Sequence, residues 1–300
     1  MTFKIFFELI ELKAKAASVF PFILGMAYSW FHFKQVNVGY MIIFFIAMFL
    51  FNMAVDILDN YMDYHNATED HDYKDKTNII GRENLSLPVI RLMIIGLIGI
   101  SSAIGIWLAA QTSWVILSLG IISYAIGILY SAGPIPLSSL PVGEIASGVA
   151  MGYLIPLICV YLNIYDVQEF NLNFMIKVLL MSIPAMFYIA NLMLANNTCD
   201  LEEDILNNRY TLVYYLGKDK SLKLFSFLAY SPFMIILLLI MTEIAPITII
   251  FTLAILPFIV KNTSRFLMSQ DKEKTFPLAI KNLIIMMVVY SVLFVIGSVL

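Results

Sequence analysis

Apolar runs long enough to cross a lipid bilayer recur nine times along this sequence, and that recurrence limits the fold more than any other feature. A helix needs about 20 apolar residues to cross the hydrocarbon layer. Such runs lie near 14–31, 38–58, 89–110, 113–130, 142–163, 173–197, 222–241, 244–261 and 279–299. They are continuous rather than alternating, so they read as helices and not as strands of a barrel. Composition agrees: 61% of the 300 residues are hydrophobic and 13% charged, with a mean hydropathy of +0.87. A water-soluble domain of this size needs far more charge to cover its core. The expected fold is all-α, a polytopic membrane bundle of about nine transmembrane helices, with residues 1–300 as a single integral membrane domain. The opening segment has no small-residue cleavage site after a short apolar core, so it is expected to stay as helix.

Loop chemistry suggests an orientation. Loops 59–88, 131–141, 198–221 and 262–278 are long and polar or rich in turn residues, whereas 32–37, 111–112, 164–172 and 242–243 are short or modest. Every Lys and Arg except Lys34 and Lys177 falls on the first side, at its border or near the N-terminus. The positive-inside rule then places the polar loops in the cytoplasm of a cell-membrane protein and the C-terminus outside. Net charge is −3, and no nucleic-acid partner is expected. Cys159 and Cys199 fit neither a metal spacing nor a disulfide framework.

Two segments concentrate acids at helix ends on that polar side. In Asn52-Met-Ala-Val-Asp56-Ile-Leu-Asp59-Asn60-Tyr-Met-Asp63 the aspartates are spaced i, i+3, i+7, with Asn52 one turn earlier. On a helix these four share a face. Like charges so close to a bilayer call for a cation. The second segment runs Asn196-Asn197-Thr-Cys-Asp200-Leu-Glu202-Glu203-Asp204, with Asp200 and Asp204 at i, i+4 and both amides on the preceding turn. Carboxylate and amide oxygens suit a hard cation, and Mg²⁺ in particular is often held by a few carboxylates together with substrate phosphates. Glu69, Asp70, Asp72 and Asp75, with His65 and His71 nearby, read instead as a solvated loop.

At these residues the chain resembles the UbiA-type intramembrane aromatic prenyltransferases. Asp56-x-x-Asp59-x-x-x-Asp63 is similar to their first aspartate-rich motif. Asp200-Leu-Glu202-Glu203-Asp204, continued by Thr211-Leu-Val-Tyr-Tyr-Leu-Gly217, is similar to their second. Leu129-Tyr130-Ser131-Ala132-Gly133-Pro134-Ile-Pro136-Leu137, followed by Gly143-Glu144, resembles the loop of the branch that prenylates 1,4-dihydroxy-2-naphthoate in menaquinone synthesis. Two positions depart from the pattern. Val55 stands where the family usually has Asn, and Lys76-Thr-Asn78-Ile-Ile-Gly81-Arg82 replaces a loop that often reads Arg-Pro-Leu.

The resemblance implies a Mg²⁺-dependent transferase that passes a polyprenyl group from polyprenyl diphosphate to an aromatic acceptor, 1,4-dihydroxy-2-naphthoate, giving demethylmenaquinone. Asp56, Asp59, Asp63, Asp200 and Asp204 become the expected metal-binding and catalytic residues. Asn52, Lys76, Arg82, Tyr130, Glu144, Asn196, Asn197 and Arg209 become candidates for substrate binding. Lys76, Arg82 and Arg209 would steady the departing anion, as cations do in a transition state. Tyr130 would orient the acceptor or face the allylic cation. Glu144 would hold a basic partner or a substrate hydroxyl, or serve only as an acid at a helix N-terminus. Two other readings stay open: the same fold acting on 4-hydroxybenzoate or a haem-like or chlorin acceptor, and a divalent-cation transporter. Transport sites usually lie near the midplane, whereas these acids sit at helix ends.

Overall fold

The computed structural model describes residues 2–66 and 76–300, and among them no strand occurs. Of the solvated loop expected above, Glu69, Asp70, His71, Asp72 and Asp75 lie outside the described residues. A short helix α1 (Phe3–Leu9) precedes α2 (Ala16–Phe33) and α3 (Val38–Asn66). The four-residue α4 (Ile79–Arg82) leads to α5 (Leu87–Gln111) and α6 (Trp114–Ser131). The next span is made of α7 (Gly143–Val149), a π-helical turn at Ala150–Leu154 and α8 (Ile155–Ile164). Then come α9 (Leu172–Cys199), the short α10 (Leu201–Leu206) and α11 (Leu212–Leu216), and α12 (Lys218–Met241). A 3₁₀ stretch at Ile247–Ile255 runs into α13 (Leu256–Met268), and α14 (Phe276–Val299) ends the chain.

Among the described residues nine helical segments are long and apolar enough to cross a membrane, as expected. Their starts follow the apolar runs within a few residues, but two ends do not. The helix expected over 38–58 continues to Asn66, and the one expected over 244–261 continues to Met268. Hydropathy marks only the part of a helix that faces hydrocarbon, so polar final turns escape it.

The chain divides into two compact units, Met1–Lys15 with Ile42–Leu137, and Ala16–Met41 with Ser138–Leu300. In the first, Leu9, Ile10, Met53, Ile57, Ile80 and Ile90 form a buried cluster. The ring of Phe51 on α3 stacks on Tyr124 of α6, with centroids 3.8 Å apart and planes at 18°. Gly127 makes that approach possible, because a Cβ there would lie 2.8 Å from the Phe51 ring. Leu92, Ile95 and Ile121 point outward, as residues facing lipid would.

In the second unit α2 packs against α8 and α14, while α9 packs against α7, α12 and α14. Leu194, Val213, Phe225 and Phe266 lie in its buried cluster. Two tyrosine hydroxyls bond backbone carbonyls close to prolines that lie inside helices of this unit. Tyr290 donates to the Met181 carbonyl (2.9 Å), one turn before Pro184. Tyr188 donates to the Ala229 carbonyl (2.8 Å), one turn before Pro232. Gly148 and Gly152 lie one turn apart and let the α7–π segment touch the backbone of α9. A Cβ on Gly148 would sit 2.9 Å from the Met186 carbonyl oxygen, and one on Gly152 2.6 Å from the Met186 Cα. Small residues at this spacing are a common means of close helix approach in membranes.

Candidate active site: two acidic motifs

The first motif lies on the final turns of α3, inside one continuous helix, as its spacing required. Asp56 forms an ion pair with Lys15, whose ammonium also donates to the Asn52 carbonyl at 3.3 Å. Lys15 is only 4% exposed, and a buried ammonium is stable only when paired and hydrogen-bonded. Asp59 accepts a hydrogen bond from the Ser131 hydroxyl at the end of α6. Asp63 is half-buried one turn further along. Asn60 donates to the carbonyls of Asp56 (3.0 Å) and Leu9 (3.5 Å). Asn78 donates to the Asn60 carbonyl (2.9 Å) and caps α4 by accepting from the Ile80 amide (2.9 Å). The segment after Lys76 is thereby fastened to the acidic end of α3.

Other expected residues of this unit are engaged elsewhere. Arg82 donates to Glu8 of α1 (2.6 Å) and to Glu83 (3.2 Å). These bonds, the Glu8 one first, raise its pKa above the usual guanidinium value. Its described partners are thus acids of α1 and of the residue beside it, not the aspartates of α3. Lys76 is exposed, and Tyr130 is half-buried beside Ser131.

The second motif departs from the expected single helical face. α9 stops at Cys199, and Asp200 takes a non-helical conformation (φ −96°, ψ 7°) before α10 starts. The turn stays closed because the Asp204 amide donates to the Asp200 carbonyl at 2.8 Å. The two carboxylates then go to different partners. Asp200 pairs with Lys272, which also donates to the Asn196 side-chain oxygen at 2.7 Å. Asp204 is buried, with Arg209 Nε 3.3 Å from its Oδ1. Burial pushes the Asp204 carboxyl up to about 6, against the opposing pull of Arg209. The other oxygen, Oδ2, is buried with no hydrogen-bond partner. Asn197 donates to Glu144 Oε1 at 2.8 Å. Glu144 is 3% exposed in the first turn of α7, and its Oε2 has no hydrogen-bond partner. An amide therefore holds one oxygen of Glu144, which sits at a helix N-terminus as one of its expected readings had it. The Tyr210 amide donates to the Ser139 carbonyl (3.0 Å), tying the segment after the motif to the turn before α7.

The UbiA prenyltransferase family model matches residues 18–293. The chain belongs to the UbiA prenyltransferase family. It is 27% identical over 214 residues to the 1,4-dihydroxy-2-naphthoate octaprenyltransferase of Bacillus subtilis (strain 168), a match over 71% of this chain and 66% of that relative's length. A UbiA homolog from Archaeoglobus fulgidus, solved with GPP and Mg²⁺, superposes with a TM-score of 0.66 at 14% identity, covering 99% of this chain and 100% of that one. The apo structure of a UbiA homolog from Aeropyrum pernix K1 gives 0.69 at 16% identity, over 91% and 97%. At those identities the likeness is one of fold.

Whether a UbiA-type metal fits this chain is testable on its own atoms. Among the described residues no three His, Cys, Asp or Glu side chains converge as a ready metal cage. Each motif instead offers carboxylates accompanied by amides, the donor set Mg²⁺ accepts when substrate phosphates supply further oxygens. The bare Oδ2 of Asp204 is an acceptor in need of a cation, since a buried carboxylate oxygen without a partner is costly. The residues present fit the ion. Lys15 and Lys272 did not stand out in the sequence, and Ser131 entered only as one residue of the Tyr130-Ser131-Ala132-Gly133-Pro134 segment, not as a partner of Asp59. Their partners are 41, 72 and 72 positions away, and nothing in the local pattern separates them from other lysines and serines.

Proposed function

We propose that this UbiA-family chain transfers a polyprenyl group from polyprenyl diphosphate to 1,4-dihydroxy-2-naphthoate, giving the prenylated naphthoquinol (the reduced form of demethylmenaquinone) with release of diphosphate and of the acceptor's carboxylate as CO₂. The observation that carries the reading is the second motif, in which Asp204 keeps a buried oxygen unpaired one turn from Asp200. Asp56, Asp59 or Asp63 in the first motif and Asp200 or Asp204 in the second would hold Mg²⁺. Mg²⁺, when bound, would neutralise charge on the departing diphosphate.

The rest falls to the chain's own groups. Breaking the allylic carbon–oxygen bond leaves an anion on diphosphate and a cation spread over the allyl group. Lys76 and Arg209 are the cations assigned to the anion; Arg82 is the weaker candidate because Glu8 and Glu83 hold it. Tyr130 is assigned to the acceptor or to the allylic cation, which an aromatic face favours. Glu144 holds Asn197 through Oε1 and so positions the second motif, and its Oε2 is assigned to a substrate hydroxyl. The nine apolar spans among the described residues suit a polyprenyl tail, which water does not dissolve. We place the chain in the cell membrane with its acidic motifs on the cytoplasmic side, following its lysines and arginines.

The acceptor rests on the Tyr130-Ser131-Ala132-Gly133-Pro134 segment and on the name of the Bacillus relative. Purified protein supplied with a polyprenyl diphosphate and either 1,4-dihydroxy-2-naphthoate or 4-hydroxybenzoate tests it by mass spectrometry of the products. Prenylated naphthoquinol is expected. Product from 4-hydroxybenzoate alone would overturn the choice of acceptor while leaving the reaction class intact.

A further inference from the structure

The loop between α13 and α14 is short, polar and unusually well bonded. Asp271 Oδ1 accepts from the amides of Glu273 (3.0 Å) and Lys274 (2.8 Å). These amide bonds hold its carboxyl below the usual range, with the Lys274 amide the larger cause. The Asp271 amide donates to Thr275 Oγ1 (2.8 Å), and that hydroxyl donates in turn to the Ser269 carbonyl (2.8 Å). Gln270 closes the end of α13 by donating to the Phe266 carbonyl (2.7 Å). Such a loop has few backbone conformations left, so a side chain it aims at the second motif starts from a fixed backbone.

That side chain is Lys272. Its ammonium pairs with Asp200 Oδ2, donates to Asn196 Oδ1 at 2.7 Å, and lies 5.0 Å from the centroid of the Phe276 ring. Asn196 and Asp200 are one turn apart, and Lys272 bridges them. A carboxylate oxygen that holds an ammonium is not available to a metal until the ammonium leaves. Roughly half of the Lys272 side chain is exposed, so it can leave at little cost in packing. Lysine is suited to the exchange because its charge rides on a flexible stem with rotatable donors.

We propose that Lys272 is the built-in counter-ion of the second acidic motif, displaced from Asp200 when Mg²⁺ binds and then donating to the diphosphate. The inference rests on the functional reading above. It assigns Lys272 two effects of opposite sign. Without substrate the lysine competes with metal for Asp200 and weakens metal binding. Once metal occupies Asp200, the ammonium remains within a side chain's reach of the anion and strengthens its binding. A purely structural ion pair gives only one sign, since its loss loosens the motif and weakens both.

The test uses the full chain in detergent, with Mn²⁺ as a spectroscopic probe and the free ion counted by electron paramagnetic resonance. Lys272→Met should tighten the Asp200-dependent Mn²⁺ binding by roughly two- to five-fold, the size of a part-exposed ion pair. Lys272→Arg keeps the charge and should stay near the parent. At saturating Mg²⁺, a non-reactive prenyl thiodiphosphate should bind Lys272→Met several-fold more weakly and Lys272→Arg almost normally. Thermal unfolding of each variant shows whether it is folded. Unchanged or weaker Mn²⁺ binding in a folded Lys272→Met overturns the counter-ion role and leaves the metal reading standing. Mn²⁺ binding unaffected by Asp200→Asn also overturns the counter-ion role alone, since Asp204 and the first motif remain as ligands; no Mn²⁺ binding at all overturns both.

Discussion

Replacing Gly152 with alanine should destabilise this protein, although alanine is the better helix former. A Cβ at position 152 would lie 2.6 Å from Met186 Cα, 2.7 Å from its N and 2.8 Å from its Cγ. Carbon atoms in ordinary contact sit about 3.5–4.0 Å apart. The α7–π segment and α9 would therefore have to separate by about 1 Å, and two of the three obstructing atoms are backbone and cannot rotate away. Overpacking of this kind costs about 1–3 kcal/mol. A shift of that size also stretches the Glu144–Asn197 bond, now 2.8 Å, at a further cost of about 1 kcal/mol. Alanine's helix preference returns about 1 kcal/mol. The net loss of about 1–3 kcal/mol corresponds to a fall in midpoint of about 2–5 °C for a chain of this size. The assay is thermal unfolding in detergent, with Gly99→Ala as the control. No atom beyond its own helix lies within 4 Å of a Cβ at Gly99, so alanine there should leave the midpoint unchanged or higher. A Gly152→Ala protein as stable as Gly99→Ala would refute the reasoning.

Further substitutions, at Lys15, Asp56, Glu144 and Glu8, bear on how these segments are held. Lys15→Met leaves Asp56 without its ammonium and should cost about 2–4 kcal/mol, near the low end for breaking a buried pair because Asp56 is partly exposed. Adding Asp56→Asn should restore at least half of that, measured as a double-mutant cycle; no restoration would mean Lys15 acts through packing alone. Glu144→Gln keeps an oxygen for Asn197 and should unfold near the parent, whereas Glu144→Leu strands the buried amide at a cost of about 1–3 kcal/mol. Equal midpoints for Gln and Leu would show that the bond contributes nothing. Glu8→Ala frees Arg82 from an exposed pair and should lower stability by less than about 1 kcal/mol. If its prenyl transfer changes by more than ten-fold, Arg82 does reach the diphosphate and its present assignment is wrong.

Features fixed by local repetition were legible in the sequence. The nine spans follow from apolar runs, and Asp56, Asp59 and Asp63 share a face because the helix of α3 continues through them. The break at Asp200 was hidden, since i, i+4 spacing survives a bent turn that one backbone bond keeps closed. The π turn at Ala150–Leu154 left no trace, because hydropathy does not distinguish helix types. Least legible were the long-range partners. Lys15 reaches Asp56 across 41 positions, and Asn197 reaches Glu144 across 53. Such pairs depend on which helices lie side by side, and that depends on small residues such as Gly148 and Gly152 whose role appears only once Met186 is seen against them.

The most direct test of the central claim is Mg²⁺-dependent release of diphosphate by the detergent-purified chain, given a polyprenyl diphosphate and 1,4-dihydroxy-2-naphthoate. Asp59→Ala and Asp200→Ala serve as controls, one in each motif. The account predicts release matched by prenylated naphthoquinol, abolished by chelation, restored by Mg²⁺, and reduced by about 100-fold or more in both controls, the size of losing a key electrostatic group. No release with any aromatic acceptor, or release that survives in both aspartate variants, would contradict it.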